Sequence, residues 1–425
     1  MSEDRRLPES RVGRLARLAA LGARAGASML TERSGAAAAE HATRVLGNLR
    51  GLAAKVGQMA SYVDGIVPPE HAAAFEASLK ALQSQAPTSP PAAIRALVEE
   101  ELGAPVDRLF AEWADTPLAS ASIGQVHAAR LEDGREVAVK VQHPGIARAV
   151  ESDLANASIL EALVGATAGK RFDSRALLEM VRTRFREELD YVREAANLQH
   201  FAQLHAGDAT IRIPALVPSR SSRRVITTEL ARGLGFVEAC AASEGERVAW
   251  AKTMWRFVFK GTLVGGSLNA DPHPGNYIFH DGGCVTFLDY GCIQPLGERR
   301  PRAVRVHQAA IARDEAAFGR AVAAMIGSRP GPLEDLAVRY TRECFNPLFE
   351  SPYRVTKPYA ASLVGRMHSM ALAARKAPQE QFFTMPPEML FVNRLQFGFY
   401  SVLARLDVSV DYAEVERAFI PAAGA

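Results

Sequence analysis

The sequence is poor in cysteine, lacks any long apolar run, and carries almost balanced charge. Its four cysteines, Cys240, Cys284, Cys292 and Cys344, form no C-x-x-C pair. This excludes a disulfide scaffold and a zinc-ribbon site, and it fits a reducing compartment. No stretch reaches the roughly 18 to 20 uninterrupted apolar residues that span a bilayer. The opening MSEDRRLPESRVGRLARLAALGARAG has no long apolar segment of the secretory kind. The expected location is cytoplasmic, with peripheral attachment at the inner membrane face as an option. The net charge of only +3 does not imply nucleic acid, and no basic stripe interleaved with aromatics is present. No internal repeat occurs.

What is there is a chain of 425 residues, 48% hydrophobic and 23% charged, enough for two or three domains or one large bilobal unit. The first hundred residues are Ala- and Arg-rich with helical spacing. Arg11, Arg14 and Arg17 recur at three-residue steps, so this helix could lie on an anionic membrane surface or simply present a solvated face. Helices are expected over 70–83 and 92–102, with Gly103 as a C-cap. Near Phe110 the texture changes. Residues 123–131 and 136–141 read as strands joined at Asp133-Gly134, a hairpin signal. Helices return over 146–204, strands around 215–217 and 225–229, and then helices again except for short strands at 277–279 and 285–288. A small β-rich lobe carrying a lysine, followed by a helical lobe carrying carboxylates, is the outline of a kinase.

Two short motifs carry the chemistry. Asp271 and Asn276 stand five apart in Asp271-Pro272-His273-Pro274-Gly275-Asn276, as in the catalytic loop H-R-D-x-x-x-x-N. After a turn at Asp281-Gly282-Gly283 comes Asp289-Tyr290-Gly291, a D-F-G variant. Phosphoryl transfer needs Mg²⁺ held by hard oxygens, and a carboxylate with an amide carbonyl supplies them. Lys140 ends Val137-Ala138-Val139-Lys140, close to the V-A-I-K strand of kinases. A lysine there requires a carboxylate partner. The run Arg186 to Glu194 reads as one helix in which Asp190 and Glu194 share a face and can provide it. Ahead of Lys140, the glycines of a phosphate-covering loop are mostly replaced in Ala119-Ser120-Ala121-Ser122-Ile123-Gly124, which should stiffen that loop. His273, in a Pro-flanked loop, reads as structural rather than as a metal ligand. Met385, Met389, Phe391, Phe397, Phe399 and Tyr400 read as helix core rather than as a lipid slot.

Together with Lys55-Val56-Gly57-Gln58 (K-x-G-Q) and Glu188-Leu189-Asp190 (E-x-D), these segments resemble the UbiB-like, AarF-type atypical kinases. The resemblance covers roughly residues 45–295. It departs from the family at Asn269, where a histidine is usual, and at Tyr290, where phenylalanine is usual. It implies an α+β, bilobal protein-kinase-like fold with an N-terminal helical extension packing over the active site. The corresponding domains are 1–110 with K-x-G-Q, 111–232 as an N-lobe with the Ala-rich loop, and 233–425 as a helical C-lobe.

By the same resemblance, ATP and Mg²⁺ are the cofactors. Lys140, fixed by Glu194, orients the α/β-phosphates, Asn276 and Asp289 hold the metal, and Asp271 is the base or positioning carboxylate. Ala119, Ser120, Ala121, Ser122 and Gly124 cover the phosphates. Glu229 and Ala231 form the hinge against adenine, and Lys55, Gln58, Glu188 and Asp190 complete the nucleotide side of the site. The implied function is an Mg-dependent ATPase or phosphotransferase supporting isoprenoid quinone biosynthesis or lipid handling. An isoprenoid or lipid ligand and quinone-biosynthesis proteins are the implied partners. Two alternatives are a Ser/Thr protein kinase, disfavoured by the K-x-G-Q segment and the lack of an A-P-E-like sequence, and a nucleotide-gated lipid-binding module without meaningful turnover.

Overall fold

The computed structural model describes residues 88–121, 123–155, 182–183, 185–376 and 389–420. Lys55, Gln58 and Ser122, the helices expected before residue 88 and the N-terminal extension over the site lie outside the described residues. Along the chain run α1 (Pro91–Leu102), β1 (Glu112–Trp113), β2 (Ala119–Ser120), β3 (Gly124–Arg130), β4 (Glu136–Gln142), α2 (Ile146–Ala155) and α3 (Tyr191–Leu204). Then come β5 (Ile211–Arg212), β6 (Val225–Glu229), α4 (Glu244–Leu263), β7 (Ser267–Asn269), β8 (Tyr277–Phe279), β9 (Val285–Phe287) and β10 (Ile293–Pro295). Long helices finish the chain, with α5 (Arg300–Ile311), α6 (Glu315–Ile326), α7 (Pro332–Cys344), α8 (Lys357–Lys376) and α9 (Met389–Leu406).

These residues divide into two compact units. The first gathers 88–97, 115–126, 141–155 and 182, and the second holds the rest. In the first unit the Ala-rich loop is a closed turn between β2 and β3, with Ala119 opposite Val126 and Ser120 opposite Gln125. Ala121 N donates to Gly124 O at 2.8 Å, and neither residue takes a left-handed φ. The turn is fixed from outside by His143, whose Nε2 lies 3.1 Å from Ala121 O while its Nδ1 lies 2.9 Å from Ser89 Oγ. A carbonyl can only accept, so Nε2 carries the proton and the serine hydroxyl donates to Nδ1. Ser89 N also donates to the buried Gln125 Oε1 at 2.7 Å.

In the second unit the expected hairpin is present. Gly134 takes φ 85° at the turn between β3 and β4, a conformation that costs a glycine little. The strand order is β1-β3-β4-β6, with β2 also on β3. A second sheet, β5-β9-β8, and a two-stranded ladder, β7 with β10, carry the polar loops. β7 and β10 are not among the strands expected from the sequence.

One expectation is corrected. Residues 186–194 are not a single helix, because the chain breaks at Leu189-Asp190 and α3 starts at Tyr191. Asp190 is the N-cap, accepting from Val192 N at 3.1 Å and Arg193 N at 3.4 Å. Its short carboxylate satisfies the free amides of a first turn, so it does not share a helix face with Glu194.

Candidate functional site

The alternation of β4 buries Val137, Val139 and Val141 and turns Lys140 to the other face. There Lys140 Nζ donates to both carboxylate oxygens of Glu194, at 2.7 and 2.9 Å, and lies 3.5 Å from Asp289 Oδ2. The ammonium also sits 5.2 Å from the centre of the Tyr191 ring. Burial works against the lysine's charge, but Asp289 and Glu194 outweigh it and hold its pKa well above the ordinary range. For Glu194, burial is the largest influence and raises the carboxyl against the pull of Lys140, and Asp289 adds to the rise. Two carboxylates thus face one ammonium.

The loop carboxylates are brought together by the β7–β10 ladder, which pairs Asn269 with Ile293. Asn269 then joins the two motifs directly. Its Nδ2 donates to Asp289 O at 2.9 Å, and its Oδ1 accepts from Asp271 N at 3.2 Å. Asn276 Nδ2 donates to Asp271 O at 3.1 Å, and Leu288 N donates to Asn276 O at 3.0 Å. Asn269, Asp271, Asn276 and Asp289 line one small cleft. Asp289 Oδ1 accepts from Gly291 N at 2.8 Å. A Cβ on Gly291 would lie 3.2 Å from that same oxygen and 3.6 Å from Glu194 Oε2, so glycine here lets the two carboxylates approach.

Tyr290 turns away from the cleft and is fully buried. Its hydroxyl donates to Phe287 O at 3.0 Å, its ring lies 5.5 Å from Phe201 of α3, and its carbonyl accepts from Asn197 at 3.0 Å. Burial raises its pKa well above the usual phenol value. The helix carrying Glu194 is therefore held to Asp289-Tyr290-Gly291 by a ring contact and an amide.

Among residues 81–321 the chain matches the ABC1 atypical kinase-like domain, more than half its length. The chain belongs to this family. Atypical kinase COQ8B, mitochondrial, of Rattus norvegicus is 32% identical over 317 residues, covering 70% of this chain and 59% of that protein. AarF domain-containing protein kinase 1 of Gallus gallus is 33% identical over 257 residues, 59% of this chain and 48% of its own. The chain thus spans about half the length of the curated relatives it matches. The Rv3197–erythromycin complex of Mycobacterium tuberculosis superposes with a TM-score of 0.61 at 24% identity, covering 96% of this chain and 98% of that one. This ABC1-family chain has the α+β kinase-like fold. None of its described helices is long and apolar enough to cross a membrane.

The remaining sequence-predicted residues fall elsewhere. Glu188 acts on Glu194 and Tyr191 only through charge, and Asp190 caps α3. Glu229 is exposed, with its amide donating to Ala215 O at 2.9 Å. Next to it Leu230 N donates to Glu136 O at 3.0 Å, while Ala231 N donates to no described carbonyl. Ala119, Ser120, Ala121 and Gly124 belong to the first unit. His273 Nδ1 accepts from Gly275 N at 3.1 Å, the structural role expected of it.

Sequence reading missed two supports of the site. Asn269 stood out only as a departure from histidine, not as the residue that ties the motifs. Gly398, in the interior of α9, lies against Pro272, whose Cγ would be 2.5 Å from an added Cβ. A glycine inside a long helical pattern was the available signal.

The donor set suits Mg²⁺ shared with phosphate. No group of three or more His, Cys, Asp or Glu side chains among the described residues could hold an ion alone. Asp289 and the Oδ1 of Asn276 are hard oxygen donors, and Mg²⁺ ordinarily takes one or two carboxylates plus substrate phosphates.

Proposed function

We propose that this protein binds ATP with Mg²⁺ at the cleft of Lys140, Glu194, Asp271, Asn276 and Asp289, and hydrolyses it or transfers its phosphoryl group to a small molecule. The observation that carries the reading is the Lys140–Glu194–Asp289 cluster, joined to Asp271 through Asn269. Lys140, held by Glu194, is oriented to meet phosphate oxygens as a fixed cation. Asn276 and Asp289 offer the metal-binding oxygens, and Asp271 is the carboxylate that orients a nucleophile or takes its proton. Bound Mg²⁺ supplies neutralisation of charge on the phosphates. Adenine is read at the Glu229–Ala231 strand end, where the Ala231 amide is the natural donor.

Membership of a family that includes COQ8B and AarF-type kinases supports an ATP-dependent reaction. We extend this to isoprenoid quinone biosynthesis or lipid handling, with peripheral contact at a membrane and quinone-biosynthesis proteins as partners.

The test is Mg²⁺-dependent release of phosphate from ATP by purified protein, with and without anionic liposomes, beside Asp289→Asn. Turnover should fall by about a hundredfold or more in the variant and rise with liposomes in the parent. Nucleotide binding without turnover under every condition would defeat the enzymatic reading.

A further inference from the structure

The helices after β10 enclose a second cavity that the nucleotide reading does not use. Its volume is about 560 Å³, within the range of small-ligand sites and far above the voids that close-packed interiors leave. Its wall is mostly apolar and includes the aromatic side chains of Trp255 and Phe259 of α4, Phe345, and Phe399 and Tyr400 of α9. Several of its buried polar groups have partners, while Gln294 Oε1 is buried with no hydrogen-bond partner among the described residues. Glu416, just behind it, accepts from Trp255 Nε1 at 2.9 Å and pairs with His307 Nδ1 at 2.8 Å, while Tyr400 Oη donates to Cys344 O at 2.8 Å. The interior therefore offers apolar contact rather than unmet charge.

Charged residues also line the cavity, Glu298, Arg299 and Arg302, and of these Glu298 and Arg302 are exposed. Arg302 is exposed and makes no ion pair among the described residues. An apolar chamber with an exposed arginine that makes no ion pair among the described residues suits a molecule with a long apolar body and one anionic end.

Two of the cavity's walls are also supports of the phosphate site. Leu268 and Gln294 line it from the β7–β10 ladder, and Leu268 is followed by Asn269, which holds Asp271 N and Asp289 O. On α9, Gln396, Phe399 and Tyr400 face the cavity while Gly398 seats Pro272 of the Asp271 loop.

We propose that this cavity binds a monoanionic amphiphile of the fatty-acid type, with its apolar body against the aromatic wall and its anion at Arg302, and that occupancy shifts the Asp271 and Asp289 loops. The binding stands independently of the nucleotide reading, whereas the coupling rests on it.

The experiment is quenching of tryptophan fluorescence by dibromostearate, with plain stearate as the control, in the full chain without nucleotide. Bromine quenches on contact, and of the three tryptophans only Trp255 lines the cavity. Saturable quenching is expected for the parent. Ala337→Phe, which places a ring inside the cavity, should abolish it. Because that variant could fold poorly, Arg302→Glu at an exposed position is measured beside it. Arg302→Glu should weaken the acid by about tenfold and leave the dibromostearate methyl ester unchanged.

No saturable quenching in the parent, or quenching unaltered in folded Ala337→Phe, would overturn the site. Equal behaviour of acid and ester in both parent and Arg302→Glu would overturn its anionic specificity. ATP affinity is then compared with and without stearate, and a shift of about fivefold is expected for coupled sites. An unchanged affinity would overturn the coupling. Absence of any ATP binding would instead defeat the nucleotide reading and leave the quenching result standing.

Discussion

Glu194 and Glu416 are both buried, 6% and 0% exposed, and they keep different kinds of partner. Glu416 divides its two oxygens between two donors, Trp255 and His307. Glu194 spends both oxygens on one ammonium, which it shares with Asp289. The first arrangement satisfies every group it buries. The second sets two carboxylates around one lysine, an arrangement that a cation or a phosphate can join. Buried charge is the same observation in both places, and the partners around it differ.

Matched alanine variants should separate the two most widely. Glu416→Ala strands the Trp255 and His307 donors and should lower stability by about 4 kcal/mol, measured by denaturant unfolding. Turnover per folded molecule should be kept. Glu194→Ala frees Lys140 to pair with Asp289, so stability should fall by only about 1 kcal/mol. ATP turnover should fall between about a hundredfold and a thousandfold. If both variants lost stability equally and turnover alike, the contrast would be broken.

The two regions also differ in how far the sequence reveals them. Lys140, Asp271, Asn276 and Asp289 were readable because each lies in a short motif whose spacing is local. Asp190 was misread because charge spacing on a presumed helix says nothing of a break, although aspartate is a preferred N-cap. Phe399 and Tyr400 were correctly expected to be buried. Periodicity alone favours plain helix core over a slot for them, since the cavity wall assembles residues from 255 to 400 and no periodicity encodes such a meeting. Asn269 was legible as an oddity, and its role needed the register of β7 against β10.

A further buried group sharpens the comparison through pH. His205 is 3% exposed, stacked near Phe257 at 5.1 Å and Phe201 at 6.2 Å, and neither ring nitrogen has a hydrogen-bond partner. Burial, with help from Lys260, Arg256 and His200 against the opposing pull of Asp208, lowers its pKa from 6.5 to about 4. Between those values the unfolded chain binds the proton and the folded chain refuses it, so stability falls as pH drops from 6.5 towards 4. The loss is on the order of 3 kcal/mol. His205→Phe should remove this acid sensitivity and add about 1 kcal/mol at neutral pH, where two unpaired nitrogens are replaced by carbon. Unfolding curves at the two pH values check both statements, and a variant with undiminished acid sensitivity would show that carboxylates elsewhere carry it.

The smallest expected effect falls where the helical region touches the polar loops. Alanine normally stabilises a helix interior relative to glycine by about 1 kcal/mol, so Gly398→Ala should help α9 on propensity alone. Its Cβ, however, would meet Pro272 Cγ at 2.5 Å, closer than carbon atoms can approach. Either α9 or the Asp271 loop must move, and the helix is the stiffer of the two. The propensity gain and the contact strain therefore offset in stability, whereas Asp271 is carried out of line with Asp289. Turnover should fall by about tenfold with unfolding nearly unchanged, the pattern of a misplaced group far from any lost interaction. A loss of stability without loss of turnover would mean that α9 yields instead, and that Asn269 and Asn276 hold the loop in place.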